Sequence, residues 1–358
     1  MTINIARFYK RERMKFDCEI ITPMFLGNSN QEAELRAAPF KGLLRYWWRV
    51  AEGHRYVDAA ALLKAENAVF GSADDSGGKS QVAVEVCPLT DMPPQNKKFP
   101  KVDDVDYPEC EKTKKKTNPL NYLAGRGLIH YKNGILHSYF APAERFQIRL
   151  VVSYEKMEAI EPVLALIRAF GAIGSRSRNG WGCFSLLKKQ EVLLKDCISN
   201  LQDCIRNFSE IFDDGRDYPH CLGKDKNGLL LWKTKNTQKT WELCMRDLAD
   251  IYIKTRTKLD VKDVKSDSPS DRHLLGYPVT NHSINLKNWG KKGRHASALR
   301  LIVRKEADGY RGYILHLPHL FSEKMWPNEK DRQIRIWQQV HGSLDQLCER
   351  VKIEEVKA

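Results

Sequence analysis

The sequence predicts a mixed α+β protein with about two domains. Its 358 residues are 42% hydrophobic and 29% charged, which is typical of a globular chain with a sizeable core. Segments in which apolar and polar residues alternate indicate strands, and they are interleaved with segments in which apolar residues recur at helical spacing. Along the first half the order is strand, helix, strand, strand, helix, loop and strand. This interleaving assigns the chain to the α+β class.

Local patterns predict four strands and three helices in the first half. Their order is compatible with a ferredoxin-like unit of the split βαβ type that carries insertions. The predicted strands are 16–26, 82–86, 146–152 and 182–187, and the predicted helices are 39–51, 59–68 and 157–167.

The second half is predicted to begin with a helical, cysteine-dotted segment over about 190–255, followed by a charged, linker-like stretch to residue 270. A strand from Leu299 leads into Asp308-Gly309, which is a hairpin signal. The return strand is expected to end near Leu317, and a final helix is predicted because apolar residues recur at helical spacing after residue 334.

The chain changes character between residues 88 and 119. This stretch is rich in proline and lysine, includes Lys97-Lys98 and Lys114-Lys115-Lys116, and shows little periodicity. We interpret it as a basic insertion that is partly mobile. The resulting division has an N-terminal domain over 1–190, which carries the insertion, and a second domain with the helical segment over 191–358.

A glycine-rich loop, residues 171–184, reads GAIGSRSRNGWGCF. Glycine permits close backbone approach and positive φ angles, and two arginines add permanent charges with fork-shaped donors. Such a loop suits a phosphodiester backbone better than a small neutral ligand, although a plain surface turn is the alternative. Trp181 either stacks on a base or fills the core. The candidate RNA-binding residues here are Gly174, Ser175, Arg176, Ser177, Arg178 and Trp181.

The helix predicted from Pro39 carries Lys41, Arg45 and Arg49 at i, i+4 and i+8, so the three cations share one face. One interpretation is a solvated basic face over an aromatic anchor formed by Trp47 and its neighbour. The other is that the cations meet phosphates together with the free backbone N–H groups at the helix start.

The charge balance indicates a polyanionic partner. Lys+Arg number 59 against 45 Asp+Glu, a net charge of +14, which favours RNA or DNA over a membrane. No run approaches the ~18 apolar residues that a membrane span requires. Charged residues at positions 10–13 interrupt the N-terminus before any apolar signal region could form, so we expect a cytosolic protein without a membrane partner.

The nine cysteines are scattered, without a C-x-x-C pair. This pattern supports neither a disulfide framework nor a structural zinc site, and we interpret the cysteines as reduced thiols, several of them buried. No metal or cofactor is predicted, while a metal site built from distant cysteines and histidines stays open.

Three segments resemble the RAMP superfamily of CRISPR effector proteins and, within it, the first-subunit family of Cmr (type III-B) complexes. The first includes Thr22-Pro23 and the Pro39 to Arg49 helix, and the second is the glycine-rich loop. The third combines the stretch from Arg272 to Pro278 with the stretch from Arg294 to Leu299. The loop marks the superfamily, and the first segment points to the subunit family.

This resemblance implies two ferredoxin-like, RRM-related domains. It also implies a non-catalytic scaffold that contacts the crRNA near its 3′ end and the guide–target duplex, with target RNA and other Cmr subunits as partners. Arg272 belongs to the third segment. Lys291 and Arg294 form either a second RNA-contact surface or a solvated basic loop. The insertion lies outside the matching segments, so no family role is carried onto it.

Three alternatives follow from other chemistry. A metal-independent endoribonuclease would need a positioned histidine, and the ten histidines fall in no assignable motif. A nucleotide-binding enzyme is disfavoured, because Gly180 is followed by Trp181 instead of the G-K-[ST] ending of a P-loop. A pure assembly protein would leave the arginines without a nucleic-acid partner.

Overall fold

The computed structural model describes residues 10–72, 78–108, 116–130, 132, 134–187, 201–213, 215–261, 267–279, 282, 284, 285, 289 and 293–352. The described helices are α1 (Ala37–Glu52), α2 (Ala59–Phe70), α3 (Pro119–Ala124), α4 (Met157–Phe170), α5 (Trp241–Thr257) and α6 (Lys330–Leu347). The described strands are β1 (Arg11–Ile20), β2 (Val82–Pro88), β3 (Val105–Asp106), β4 (Lys116–Thr117), β5 (Ile129–His130), β6 (Gly134–Ile135), β7 (Arg145–Ser153), β8 (Phe184–Leu187), β9 (Ile205–Asn207), β10 (Leu222–Asp225), β11 (Gly228–Leu229), β12 (Leu231–Lys233), β13 (Leu299–Glu306), β14 (Gly309–His316) and β15 (Glu349–Arg350).

The first sheet is four-stranded and antiparallel, in the order β2-β7-β1-β8. Phe16 of β1 stands opposite Ile148 of β7, so the buried residues of neighbouring strands share one face. Helices α1 and α4 pack on that face, where Phe40 lies 5.4 Å from Phe146 and Trp47 lies 5.8 Å from Phe170, measured between ring centroids. The major elements therefore follow the order β1-α1-β2-β7-α4-β8.

The second sheet repeats this connectivity. Its strand order is β13-β14-β12-β15, all antiparallel, and its elements follow the chain order β12-α5-β13-β14-α6-β15. The core of this half contains the fully buried side chains of Trp232 and Trp337. Both halves are thus β-α-β-β-α-β units in which the third and first strands lie at the centre.

The glycine-rich loop joins the two units. The amide of Leu301 in β13 donates to the carbonyl of Arg178 at 2.8 Å. The Arg304 guanidinium, also from β13, donates to the carbonyls of Ala169 and Gly171 at 2.8 and 3.0 Å. These carbonyls stand at the end of α4, where a cation is favourably placed against the helix dipole.

The α+β class is confirmed, and every helix and strand predicted for the first half is found, although β1 ends at Ile20 instead of continuing to Leu26. The hairpin at Asp308-Gly309 and the final helix are also confirmed. In the part of the chain that the structure describes, no helix is both long and apolar enough to cross a membrane. The division at residue 190 falls within 188–200, outside the described residues, and stays a prediction.

The predicted helical segment over 190–255 is wrong for much of its length. The described residues from 205 to 233 hold four short strands, β9 to β12, and the helix α5 begins only at Trp241. Strand β12 already belongs to the second sheet, so the second unit begins within the segment that was predicted to be helical. The strands have only two to four residues, too few to show an alternating pattern.

A buried histidine pair lies in the core of the second unit. His316 Nδ1 and His341 Nε2 lie 2.9 Å apart, and burial lowers the pKa of His341 to about 3. The pKa of His316 is also lowered, by burial and by the neighbouring His341. Both rings are therefore neutral in the folded chain and take up protons near pH 6.5 only when it unfolds.

We expect stability to be full above about pH 6.5 and to fall as the pH drops towards the folded pKa values, by about 1.4 kcal/mol per pH unit for each buried ring. Thermal unfolding between pH 7.5 and 4 measures this slope. His341→Gln should flatten the slope, because the variant lacks one of the two buried rings. An equal slope in His341→Gln and the parent chain would contradict the assignment.

Candidate nucleic-acid interface

A large cleft of about 1360 Å³ lies beside the glycine-rich loop. One side is formed by the loop and by the segment from α3 to β5. The other side is formed by α5 and by the stretch that precedes β13. The residues that carry its charge or its aromatic surface are Tyr107, Tyr122, Arg126, His130, Arg176, Arg178, Tyr252, Arg256, Arg272, Tyr277, His282, Arg294 and His295.

The cleft is strongly basic. Six arginines line it, and none of its lining residues, all within the described ranges, is an aspartate or a glutamate. Like charges with no carboxylate between them create a positive potential, which low-dielectric walls focus into the cleft. Guanidinium groups bind phosphate and carboxylate oxygens in a bidentate manner, so the cleft is suited to a polyanion.

Arg176 is one of the exposed cations of the cleft. Its side chain is exposed, and among the described residues it makes no hydrogen bond or ion pair. The guanidinium lies against two glycines. A Cβ added to Gly127 would stand 3.1 Å from Arg176 Nη2, and a Cβ added to Gly125 would stand 3.2 Å from it. The backbone of Arg176 has φ 60°, a left-handed conformation that costs an L-residue about 1–2 kcal/mol.

The backbone of the loop is held by close approach to the first unit. Gly174 has φ 94°, and a Cβ there would collide with the carbonyl oxygen of Phe25. The next amide, of Ser175, donates to that same carbonyl at 2.9 Å. Glycine is therefore required at position 174, and the loop presents Arg176 from a fixed position. Gly174 and Ser175 themselves lie beside the cleft lining, whereas Ser177 is part of it.

Arg178 is more enclosed than Arg176. Its guanidinium lies over the ring of Tyr46 at 6.0 Å and donates to the carbonyl of Ser297 at 3.5 Å. Burial lowers the pKa of Arg178, and Arg300 nearby adds to this effect. Arg178 therefore contributes charge to the cleft wall while it also joins α1 to the second unit.

The structure brings Arg272 and Arg294 of the second half to the same cleft as the loop. Arg294 is exposed, and Arg272 is only 4% exposed and donates to the carbonyl of Leu259 at 2.9 Å. Arg126 and Arg256 also line the cleft, and neither belongs to a motif that the sequence shows. Lys291 lies outside the described residues.

Trp181 is a core residue, and its expected role as a base-stacking platform is corrected. The indole is fully buried. It stacks on Phe99 with ring centroids 4.4 Å apart, and lies 5.7 Å from Phe25 and 6.2 Å from Trp241. No face of the ring is left for a base. Because Phe99 belongs to the 88–119 insertion, the described part of that insertion packs onto the loop.

The three cations of α1 are also placed elsewhere, since none of them lines the cleft. Arg45 and Arg49 form ion pairs with the two carboxylate oxygens of Glu66 at 2.9 and 2.7 Å, and the Glu66 side chain is only 3% exposed. Lys41 donates to Ser80 Oγ at 3.0 Å. The structure thus uses this face to pack α1 against α2 and the residues just before β2, and phosphate contacts of these cations stay a prediction.

Residues 17–185 match the RAMP superfamily. The match spans most of the first sheet, its two helices and the glycine-rich loop, so the wall of the cleft that carries Arg176 and Arg178 lies within the region that is similar to the RAMP superfamily. The resemblance predicted from the loop motif is confirmed for this half of the chain.

Within that class the chain is similar to the CRISPR system Cmr subunit Cmr1-1 of Pyrococcus furiosus, with 29% identity over 186 residues. The match covers 51% of this chain and 50% of that relative, so the chain spans about half the length of the curated relative it matches. The narrower resemblance, to the first subunit of the Cmr complex, is thereby confirmed at the level of sequence.

Two solved structures extend the comparison. A chain in the cryo-EM structure of the type III-B Cmr-beta bound to cognate target RNA matches with a TM-score of 0.50 and 12% identity, over 93% of this chain and 99% of that one. At this identity the match shows a shared fold. The crystal structure of Cmr1 from Pyrococcus furiosus in its apo form matches with a TM-score of 0.45 and 17% identity, over 86% and 88% of the two chains.

Proposed function

We propose that this chain is an RNA-binding scaffold subunit of a type III-B CRISPR (Cmr) effector complex. The observation that carries the proposal is the cleft, in which six arginines from both units converge without a carboxylate among the lining residues. A guide RNA must be held whatever its sequence, so its carrier recognises backbone and shape. Arginines and loop amides achieve this without reading bases.

Filter binding of the full chain to a synthetic RNA at several salt concentrations tests this proposal. Because each phosphate contact releases counterions, the logarithm of the affinity should fall linearly with the logarithm of the salt concentration. The slope should reach up to about −4 if each of the six arginines meets one phosphate of a single strand. A slope near zero, or no binding at low salt, would contradict an RNA-binding cleft.

The resemblance supports a finer placement. We infer that the chain contacts the crRNA near its 3′ end and the guide–target duplex, with target RNA and the other Cmr subunits as partners in the cytoplasm. The β-α-β-β-α-β order and the strand arrangement of both units support ferredoxin-like folds for each. Co-expression with the other Cmr subunits and crRNA, followed by crosslinking of residues 171–182, tests the placement.

We further propose that the chain binds RNA without cleaving it. The competing endoribonuclease has one observation in its favour, since His130, His282 and His295 line the cleft. His295, however, stacks on Phe321 at 3.6 Å between ring centroids, and burial lowers its pKa to about 3. This is a poor match for general acid–base work near neutral pH.

Metal-free incubation with crRNA and complementary RNA should therefore leave both strands intact. Specific cleavage that one of the changes His130→Ala, His282→Ala or His295→Ala abolishes would instead establish the endoribonuclease.

A further inference from the structure

Three tyrosines form a row along the cleft. Tyr107 follows β3 in the insertion, Tyr122 lies on α3 and Tyr252 lies on α5, and all three line the cleft. The ring centroids of Tyr107 and Tyr122 are 6.1 Å apart, and those of Tyr122 and Tyr252 are 6.5 Å apart. Each ring is tilted by 59° from the next, and each side chain is partly exposed.

The middle ring is held in place by the basic wall. Arg256 Nη1 donates to the Tyr122 hydroxyl at 2.8 Å, and burial raises the pKa of Tyr122, so the phenol stays neutral at physiological pH. A tyrosine fixed in this way offers a rigid ring surface at low entropic cost. The arginines and the aromatic surface thus stand together in one cleft.

We propose that this tyrosine row receives unpaired bases, so that the cleft prefers single-stranded RNA to duplex RNA. The proposal rests on the RNA-binding function proposed above and specifies its substrate class. Base–aromatic stacking is the usual complement to a basic groove in proteins that hold single strands. Because the rings are tilted, successive bases bound there must be splayed apart, which a single strand allows and a paired helix does not.

A purely structural role would be the packing of α3 against α5. This role requires the bulk of the rings, and it predicts the same effect of a substitution on all ligands. Stacking on bases predicts an effect on single strands only, because a duplex presents phosphates and keeps its bases paired. The two roles are therefore separated by comparing the two forms of RNA.

The experiment measures dissociation constants of the full chain for a fluorescently labelled single-stranded 12-mer and for the duplex of the same length, at three salt concentrations. Tyr107→Ala should weaken single-strand binding by about tenfold, since stacking contributes on the order of 1–3 kcal/mol per base. Its salt slope and duplex affinity should be unchanged. Tyr107→Phe should bind normally, as should Tyr154→Ala, a control at a tyrosine that is 72% exposed and does not line the cleft.

The outcomes separate the two proposals. Two outcomes would overturn base stacking but leave RNA binding intact. In the first, Tyr107→Ala loses single-strand and duplex binding equally. In the second, folded Tyr107→Ala binds normally although Arg176→Ala binds weakly. An absence of RNA binding by the parent chain would overturn the proposed function itself. Should Tyr107→Ala fail to fold, 2-aminopurine placed along the 12-mer reports stacking on the parent chain, and unchanged fluorescence at every position would refute it.

Discussion

Replacement of Arg176 by glycine should weaken RNA binding by about ten- to a hundredfold, because a hydrogen bond to a charged group contributes about 1.5–3 kcal/mol. The salt slope should become shallower by about one unit as one phosphate contact is lost. The fold should not suffer, since glycine adopts φ 60° without strain. That relief offsets the greater chain entropy of glycine in the unfolded state, so stability should stay within about 1 kcal/mol of the parent.

Arg176→Ala removes the same charge but keeps the left-handed backbone strained. Both variants should therefore lose RNA affinity alike, while the glycine variant unfolds at the same or a higher temperature than the alanine variant. Arg335→Ala, which removes an exposed arginine of α6 outside the cleft, controls for the change in net charge. Filter binding and thermal unfolding of the three variants suffice. Normal affinity in both Arg176 variants would show that Arg176 holds no phosphate.

A strained arginine in an exposed position is informative about function. Sequence variation would readily supply glycine or asparagine at a left-handed position, and the Arg176 side chain contributes no hydrogen bond or ion pair among the described residues. A strained backbone conformation whose side chain makes no stabilising contact within the protein is typical of binding sites. Arg178 differs, since its contacts with Tyr46 and Ser297 give it a packing role as well. Arg178→Ala should therefore lower both affinity and stability.

The sequence predicted the first unit well because each of its long strands buries one face. Alternation in 82–86 and 146–152 follows directly from such burial, and the glycine-rich loop was visible because its residue types are unusual together. Arg272 and Arg294 of the second half were found through the resemblance. Arg126 and Arg256 were not found, because each reaches the cleft only through the packing of α3 against α5, which no local pattern encodes.

Two of the site interpretations depended on a partner from a distant part of the chain. Arg45 and Arg49 show a regular basic face, but Glu66 from the next helix forms an ion pair with each of them. The sequence of α1 alone does not predict that this carboxylate lies beside it. Trp181 likewise has a buried ring because Phe99, from an insertion without periodicity, covers it. Burial of one face by a remote segment is a tertiary property that spacing cannot reveal.

Trp181→Ala should destabilise the protein by about 3–5 kcal/mol, the usual cost of removing a large aromatic ring from a core. Thermal or denaturant unfolding measures this loss. Trp181→Leu keeps an apolar side chain but removes the aromatic surface, and below its unfolding temperature it should bind RNA as the parent does. Weakened binding by folded Trp181→Leu would restore the base-stacking role.

A double-mutant cycle with Phe99→Leu extends this test to the insertion. The stacked rings of Trp181 and Phe99 should couple by about 0.5–1.5 kcal/mol, so the double variant should be less destabilised than the sum of the single changes. The control pair is Trp181 with Phe146, whose ring is buried among Phe40 and Phe184, and additivity is expected there. Coupling confined to Phe99 would show that the insertion is anchored through the tryptophan of the loop.

The same contact would then fix the base of the loop and also the position of Tyr107 in the cleft, because both Phe99 and Tyr107 belong to that insertion.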